Sequence, residues 1–252
     1  MTNGLFTNFL FQIFTKKLTM KQVLFYLITL LAFASCDERT GSGDIIAEKR
    51  QTGNFTGISV GGAFEVEIRI GPVTLVEVEA DDNIIKDIET RVSGDVLKIS
   101  TKNSLGFYDA HLKVFVTVPE IRSVKTSGAA NLKAIDVLKS AGKISLDVSG
   151  AGTITAAVDA PEIYAEASGA GNIELSGKTR DYKLKSSGSG DIKSFDLQSE
   201  NTDVRASGAG SAHVHASVSL KADASGAGDI SYKGGASVQQ KTSGAGNVKN
   251  AN

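Results

Sequence analysis

The residue with the most specific chemical signal in this 252-residue chain is its one cysteine, Cys36. An uncharged apolar run from Val23 to Ala34 precedes it, and Lys21 precedes that run. A positive start, a short apolar segment and small residues before a cleavage point are typical of a secretory signal peptide. Because the run is shorter than the roughly 20 residues of a membrane-spanning helix, we predict that residues 1–35 are an export signal.

Two cleavage points are compatible with this segment. Ala34-Ser35-Cys36 resembles a bacterial lipobox, with Phe33 at the position where Leu is usual, and predicts that Cys36 is acylated and becomes the first residue of the mature protein. Cleavage after Ala34 would instead leave a free thiol close to the new terminus. We favour acylation, because a solitary cysteine in an exported chain would otherwise be an oxidisable leftover. If Met20 is the true start, residues 1–19 are an upstream extension.

Metal-binding or acidic side chains suggest chemistry at three further places. His213 and His215 lie two apart on a predicted strand, so they share a face and could chelate a divalent metal; without a third ligand, we interpret them as an exposed polar pair. Asp81 and Asp82 would point to opposite faces of a strand, and we interpret them as the start of a loop. The segment 226–230, Gly-Ala-Gly-Asp-Ile, is similar to a calcium-binding repeat. A calcium ladder needs carboxylates in every turn, but most copies lack the acid, so we predict no bound metal.

Glycines and serines recur along the chain without the partners that catalysis requires. Six copies of a repeated motif contain Gly-x-Gly, but a dinucleotide or phosphate loop needs one such loop between a strand and a helix. No helical pattern follows any copy. The repeated serine has no identifiable base or oxyanion partner. We therefore predict turns at these glycines, no catalytic residue and no cofactor.

Composition excludes a further class of partner. The chain has 27 Lys and Arg against 28 Asp and Glu, a formal net charge of −1, so no basic excess indicates nucleic acid. Removal of the predicted signal, which holds three lysines and no acid, leaves a mature chain at −4. Only nine of the 16 aromatic residues lie beyond residue 35, too few to suggest a base-stacking surface. We predict no nucleic-acid partner.

A repeated Ser-Gly motif predicts the strands and turns on which the candidate residues lie. Ser-Gly recurs at intervals of 18 to 22 residues, at Ser127, Ser149, Ser168, Ser187, Ser207, Ser225 and Ser243. Alternating apolar and polar residues before and after each copy predict strands with one face inward. A unit of about 19 residues cannot bury its own apolar face, so the units must stack. The sequence therefore predicts an all-β fold, a right-handed parallel β-helix or β-solenoid with almost no helix.

Each copy of the motif predicts a sharp corner. Its first glycine can adopt positive φ, and the small residue between the two glycines is expected to let neighbouring corners stack. The Asn or Asp that ends several copies, such as Asn172 and Asp191, is expected to bond to the local backbone or to its counterpart one repeat away.

The region before the repeat is less regular. Residues 45–120 alternate in several segments, and 83–90 are expected to hold one short helical turn. We predict an amino-terminal β region over 45–120, packed on a solenoid over 121–252, and a polar tether over 36–44.

Several stretches together resemble the putative auto-transporter adhesin, head GIN domain family, a bacterial envelope family whose molecular function is undefined. The resemblance rests on FTGISVGGAFEVEI and VEADDNIIKDIETRVSGDVLKIST in the amino-terminal half, LKVFVTVPEIRSVKTSGAANL at the junction, and the SGAG series in the carboxy-terminal half. It runs from Ile45 to Asn250. The resemblance implies a β-helical fold and export, and it supplies no catalytic residues.

These observations predict an exported, lipid-anchored, non-catalytic protein of the cell envelope that serves in adhesion or binding, an outer-membrane lipoprotein on the periplasmic or the surface face. Its partners would be the membrane, through the lipid at Cys36, and an envelope glycan or protein. One alternative is a polysaccharide-acting β-helix enzyme, although coils that differ in length by at most four residues leave little material for loops over such a site. The other is a self-associating structural module, a homodimer through the last coil at 244–250, whose strand edges would lack partners.

Overall fold

Two ladders of stacked strands carry the fold, which we describe from a computed structural model of the chain. The structure describes residues 38–102 and 106–252; the predicted export signal and Cys36 lie outside the described residues. The strands of the described part are β1 (Glu38–Thr40), β2 (Ile45–Arg50), β3 (Gly57–Gly62), β4 (Glu65–Ile70), β5 (Leu75–Asp81), β6 (Ile88–Ser93), β7 (Val96–Thr101), β8 (Gly106–Tyr108), β9 (Leu112–Val118), β10 (Ser123–Gly128), β11 (Asn131–Ala134), β12 (Leu138–Lys139), β13 (Lys143–Gly150), β14 (Thr153–Gly169), β15 (Asn172–Ser186), β16 (Ile192–Ala206), β17 (Ala212–His215), β18 (Ser219–Ala224), β19 (Ile230–Lys233), β20 (Ser237–Thr242) and β21 (Val248–Asn250). A 3₁₀ turn at Ile85–Asp87 matches the short helical turn expected over 83–90. The predicted all-β solenoid is confirmed.

Ladder A contains the strand segments that lead into the Ser-Gly corners. Its order is β6-β7-β3-β10-β13-β14-β15-β16-β18-β20, to which β14, β15 and β16 contribute their second halves. Ladder B contains the segments that follow the corners, in the order β2-β5-β9-β4-β11-β14-β15-β16-β17-β19-β21, with the first halves of the long strands. All pairings in these two ladders are parallel except those of β6, β5 and β2, which add antiparallel strands at one end. These strands cover the edges of the first coil, which is the usual protection against strand-to-strand aggregation.

The solenoid starts inside residues 45–120, which were predicted to form a separate amino-terminal β region. β3 pairs in register with β10, so Gly61 and Gly62 lie opposite Ser127 and Gly128. β4 pairs in the same way with β11. Gly61-Gly62 is therefore the first corner of the stack. β7 and β9, which pair in parallel with β3 and β4, form a further coil on its other side.

Side chains that point inward form columns along the solenoid axis. One column in ladder A consists, coil after coil, of the buried residues Ile58, Val124, Leu146, Ala165, Leu184, Val204 and Ala222. Full burial of a Val, Leu or Ile side chain contributes about 1.5–3 kcal/mol. Each coil therefore gains stability from the coils on both of its sides, as expected for a solenoid.

The Ser-Gly corners stack through their backbones. The N–H group that follows each first glycine donates to the carbonyl oxygen of the first glycine one coil earlier, for example from Ala151 to Gly128 at 2.7 Å. This bond joins eight corners, whose first glycines are Gly62, Gly128, Gly150, Gly169, Gly188, Gly208, Gly226 and Gly244. The backbone ladder thus continues through the turn instead of stopping at the end of each strand.

The stacked corners leave no room for a side chain. A Cβ atom on Gly188 would lie 1.8 Å from the carbonyl oxygen of Gly169, and one on Gly190 would lie 1.8 Å from that of Gly171. The predicted positive φ is confirmed at Gly128, Gly150, Gly169 and Gly244, whereas Gly188, Gly208 and Gly226 do not adopt it. The residue between the glycines, such as Ser189, is exposed, whereas the second glycine is buried. The expectation that the small middle residue allows close stacking is therefore wrong, because the glycines themselves make the contact.

Asn and Asp side chains after the corners bind the next coil. The backbone N–H groups of Asp191, Ser211 and Asn247 donate to Oδ1 of Asn172, Asp191 and Asp229, at 2.8–2.9 Å. The predicted bond between counterparts one repeat apart is confirmed. These bonds add a side-chain ladder beside the backbone ladder of the corner.

Residues 38–44, predicted to belong to a polar tether, instead lie against the first coil, and we call them the strap. β1 pairs in parallel with β8, which connects β7 to β9. The Asp81 carboxylate accepts the backbone N–H groups of Gly43 and His111, both at 2.7 Å. The strap is thus held by a carboxylate at the end of β5.

The corner stack predicts a strong position effect for glycine replacement. We expect Gly190→Ala to lower the free energy of unfolding by about 3 kcal/mol, because its Cβ would overlap a backbone carbonyl that cannot move alone. Gly142→Ala is the matched control, since a Cβ there meets no atom within 4 Å, and we expect a change within about 0.5 kcal/mol. Urea unfolding followed by circular dichroism measures both, and equal stability of the two variants would contradict the stacking argument.

The strap predicts a pH dependence of stability. Burial alone would raise the pKa of Asp81, but the N–H groups of Gly43 and His111 outweigh it and lower the pKa below its usual range. A carboxyl group with a lowered pKa stabilises the fold above its unfolded pKa of about 3.9, and this stabilisation is lost as the pH falls through its folded value. We expect Asp81→Asn to reduce the urea midpoint at pH 7, with a difference from wild type that narrows as the pH falls below about 4. An equal difference at pH 7 and at pH 3 would refute this role of Asp81.

Candidate functional site

A groove runs along the corner opposite the Ser-Gly corners. At this distal corner, β14, β15 and β16 pass from ladder B to ladder A without a break. The groove has a volume of about 450 Å³, and four successive passes of the chain line it. The lining residues of this distal groove are Asp159, Ala160, Pro161, Lys178, Thr179, Arg180, Gln198, Ser199, Glu200, His215 and Ser217. Nine of these eleven lining residues have polar or charged side chains.

Ion pairs between exposed side chains lie along the distal groove. Lys178 Nζ lies 3.6 Å from Asp159 Oδ2, and Arg180 Nε lies 2.9 Å from Asp181 Oδ2. The hydrogen bond from Arg180, followed by one from Asn201, lowers the pKa of Asp181. Exposed ion pairs of this kind contribute at most about 1 kcal/mol each. A polar ligand can therefore replace them at little cost in stability.

Hydroxyl groups in the distal groove bind the backbone. Ser199 Oγ donates to the carbonyl oxygen of His215, and Ser217 Oγ donates to that of Ser199 at 3.2 Å. Thr179 Oγ1 donates to the carbonyl oxygen of Asp181 at 3.3 Å. A nucleophilic hydroxyl needs an adjacent side-chain base, and these three are bonded to backbone carbonyls instead. They fix the shape of the groove.

A β-bulge in β16 places an aromatic ring on the outer face of ladder B. The register of β16 against β15 shifts by one residue, so Ser194 and Phe195 both oppose Leu175. The centroid of the Phe195 ring lies 5.0 Å from that of His213 and 4.7 Å from Lys233 Nζ. Bulges of this kind re-aim side chains and are frequent beside functional sites. A cation near an exposed ring contributes about 0.5–1 kcal/mol.

The two histidines share the outer face of β17, as predicted, and Val214 between them is buried. His213 packs on Phe195, and His215 lines the distal groove. Both are half-buried rather than fully exposed, and the buried Nδ1 atom of each ring has no hydrogen-bond partner. Across residues 38–102 and 106–252, no cluster of three or more His, Cys, Asp and Glu side chains is arranged to hold a metal ion. The pair connects the Phe195 surface to the groove.

The acidic pair and the calcium-like segment serve structural contacts. Asp81 ends β5 beneath the strap, and Asp82 in the turn that follows accepts the Ser42 hydroxyl at 2.6 Å. Asp229 pairs with Lys249 through Oδ2 at 2.6 Å. This contact and the N–H group of Asn247 lower the pKa of Asp229. The carboxylate of the calcium-like segment is therefore already occupied by a lysine and a backbone donor.

The last described coil is polar where earlier coils are apolar. Gln240 and Thr242 of β20 align with Ala222 and Ala224 of β18. Both polar side chains are exposed. Among the corner serines, Ser149 Oγ donates to the Thr126 carbonyl oxygen one coil earlier, at 3.3 Å.

Comparison with known proteins places the chain in a family. The family model described as "Putative auto-transporter adhesin, head GIN domain" matches residues 54–236. The chain belongs to this head GIN domain family. The comparison with curated proteins finds no match. Membership of this family indicates an envelope or surface-associated protein.

Solved structures share the fold of this head GIN domain. A putative adhesin from Bacteroides fragilis is 21% identical with a TM-score of 0.80, over 84% of this chain and 99% of that one. A putative lipid binding protein from Parabacteroides distasonis is 21% identical with a TM-score of 0.70, over 86% of this chain and 100% of that one. A putative adhesin from the same species is 24% identical with a TM-score of 0.68, over 85% of this chain and 100% of that one. At these identities the likeness establishes the fold.

The distal groove and the Phe195 surface were not predicted from the sequence. The bulge has a sequence signal, because Ser187 and Ser207 are 20 residues apart where the preceding interval is 19. The groove has none, since it forms from residues of four passes that come together only through stacking. Cys36 lies outside the described residues, and no helix within 38–102 and 106–252 is long and apolar enough to cross a membrane.

The occupied carboxylate at Asp229 predicts the response to chelators. We expect an excess of EDTA to leave the melting temperature of the purified domain unchanged, because Lys249 already neutralises this carboxylate. Differential scanning calorimetry with and without added calcium provides the measurement. A lower melting temperature in EDTA, restored by calcium, would establish a calcium site.

Proposed function

We propose that this head GIN domain is a non-catalytic binding module of the bacterial envelope, exported and held to the outer membrane by a lipid at Cys36, with the distal groove as its ligand site. The observation that carries the proposal is the groove, in which four passes of the chain place charged, amide and hydroxyl groups side by side along the solenoid axis. At about 4.8 Å between stacked strands, four passes span about 14 Å. The groove is long enough for several units of an extended polymer.

The chemistry of the distal groove favours an uncharged or mixed polar polymer. Lys178, Arg180 and Gln198 supply hydrogen-bond donors, and Asp159 and Glu200 supply acceptors. Cations and carboxylates alternate, so neither an anionic nor a cationic polymer has a clear advantage. In the envelope, the extended polymer with many hydroxyl groups is a glycan. We propose an envelope or host-surface glycan as the ligand.

Two independent observations support the envelope location. The family model is described as "Putative auto-transporter adhesin, head GIN domain", and the sequence before Cys36 has the form of an export signal with a lipobox. Binding of a glycan by an anchored solenoid requires no bond-breaking group. The proposal covers both the periplasmic and the surface face of the membrane.

A polysaccharide-acting enzyme is the second candidate, because two carboxylates line the distal groove. Glycoside hydrolysis uses a pair of Asp or Glu residues on either side of the scissile bond. Here Asp159 is paired with Lys178, which favours a binding role for it. An assay for reducing ends released from the glycan distinguishes the enzyme from the binding module.

A homodimer through the last coil stays a prediction. A second copy stacked on β20 would bury Gln240 and Thr242, and a buried polar group without a partner costs about 1–3 kcal/mol. The polar column therefore favours a solvated end over a stacked one. Light scattering of the purified chain measures its oligomeric state. A dimer that Gln240→Lys weakens would support association through the last coil.

Acylation predicts a loss of membrane attachment when the cysteine is replaced. We expect Cys36→Ala to abolish the incorporation of labelled palmitate and to move the protein from the membrane to the soluble fraction. Ser35→Ala is the matched control, since it keeps a small residue before the cysteine. Unchanged palmitate labelling of Cys36→Ala would refute the lipid anchor.

Glycan binding predicts a site-specific loss of affinity. The purified domain is screened against immobilised envelope and host glycans, together with a variant carrying Lys178→Ala, Arg180→Ala and Gln198→Ala. We expect at least a tenfold weaker binding, because a hydrogen bond to a charged group contributes about 1.5–3 kcal/mol.

The control for this screen is Lys221→Ala with Lys241→Ala, which removes exposed charges from β18 and β20 outside the groove. Equal binding by the groove variant and this control would refute the distal groove as the site. Each glycan is also assayed for released reducing ends. Turnover that Asp159→Asn or Glu200→Gln abolishes would replace the binding proposal with the enzyme.

A further inference from the structure

The strap is fixed to the first coil along its whole length. Besides the pairing of β1 with β8, Arg39 binds Asp87 at 2.8 Å, and Ser42 Oγ donates to Asp82 at 2.6 Å. Asn83 binds it from both sides, since its Nδ2 donates to the Thr40 carbonyl oxygen at 3.0 Å and its Oδ1 accepts the Ser42 N–H at 3.2 Å. One short stretch of chain, from Asp81 to Asp87, therefore holds most of the strap.

The centre of the strap leaves no space for a side chain. A Cβ atom on Gly41 would lie 2.6 Å from the carboxylate of Asp81. That carboxylate is 2% exposed and accepts the N–H group of Gly43. The backbone of the strap and the Asp81 carboxylate are closely packed at this point, so the strap is a specific packing contact.

The position of the strap limits where a lipid on Cys36 can lie. Cys36 precedes Glu38, the first residue of β1, by two residues. Because an extended chain advances at most about 3.6 Å per residue, the two Cα atoms are no more than about 7 Å apart. The polar tether expected over 36–44 would have allowed the solenoid to move freely about 30 Å from its anchor. With the strap docked, that freedom is absent.

Exposed apolar side chains lie on the strands next to the strap. Tyr108, at the end of β8, pairs with Thr40 of the strap and is 67% exposed. Ile45 and Ile46, the first residues after the strap, are 44% and 40% exposed. Tyrosine is favoured at membrane–water interfaces, because its ring is apolar and its hydroxyl is polar.

We propose that the strap seats the first-coil end of the solenoid on the lipid surface, with Tyr108 in the interfacial layer. The inference rests on the proposed acylation of Cys36. The surface faces the membrane, because the proposed lipid on Cys36 is attached only two residues before the strap begins at Glu38. The solenoid axis would then point away from the bilayer, so the distal groove and the last coil would lie far from the lipid. β21 is eight strand spacings from β9 in ladder B, which corresponds to about 38 Å.

Fluorescence quenching in vesicles tests this orientation. The full chain is produced in a host that acylates it and is reconstituted into phosphatidylethanolamine and phosphatidylglycerol vesicles that contain a headgroup spin-labelled lipid. Acylation occupies the chain's one cysteine, so Tyr108→Cys and Asn250→Cys each provide a single site for a fluorophore. We expect quenching of the label at 108 and none at 250.

The strap itself is tested by Gly41→Ala, whose Cβ would displace it from Asp81. We expect this variant to float with the vesicles and to lose the quenching at 108. Gly53→Ala is the matched control, because a Cβ there meets no atom within 4 Å, and it should keep the quenching. Asp81→Ala, which removes the carboxylate instead of crowding it, should reproduce the loss, and unchanged circular dichroism of the solenoid shows that each variant folds.

The outcomes separate this inference from the proposed anchor. A wild-type chain that does not float with vesicles refutes the lipid at Cys36 and the inference with it. A chain that floats but shows equal quenching at 108 and 250, or none at 108, leaves the anchor intact and refutes the seated first coil. Quenching at 108 that survives both Gly41→Ala and Asp81→Ala refutes the role of the strap.

Discussion

The structure depends on the hydrogen bond between successive Ser-Gly corners. In each corner an N–H group donates to the glycine carbonyl of the corner before it, as from Ser189 to Gly169. The two backbones approach so closely that a Cβ on Gly188, the residue before Ser189, would lie 1.8 Å from that carbonyl oxygen. This contact fixes the register of both strands that meet at the corner. The inward columns and the side-chain ladder of Asn and Asp residues follow from that register.

The same constraint decides which side of the solenoid can carry a function. The middle residues that the Ser-Gly corners expose, such as Ala151 and Ser189, are small, and the buried glycines beside them leave no room for a side chain. The distal corner also needs glycine where two backbones approach closely, as at Gly177, but elsewhere along it the chain varies in length and in residue type. Lysine, arginine, glutamine and carboxylates collect along it, and the added residue at Phe195 is accommodated by a bulge. The rigid side positions the variable side, as is usual for loops and corners that bind ligands.

The first end of the solenoid differs from the last in its packing. Antiparallel strands and the strap cover the first coil, and Asp81 joins both through its hydrogen bonds to Gly43 and His111. The last described coil instead places polar side chains in line with the core columns. The proposed anchor at the covered end and the polar opposite end suit a module that stands on a membrane and meets its proposed ligand along its side.

The sequence by itself determined the all-β solenoid, since alternation with a repeat of about 19 residues has no other way to bury its apolar face. For the Asn or Asp after a corner it left two partners open, the local backbone or the counterpart one repeat away, and the structure shows the counterpart, as between Asn172 and Asp191. Only the tertiary structure decided that Gly61-Gly62 is the first corner, that residues 38–44 are docked, and that Lys178 and Gln198 share a groove. These facts depend on contacts between residues far apart in the chain. The local sequence pattern does not predict such contacts, because burial and register depend on which strands stack on one another.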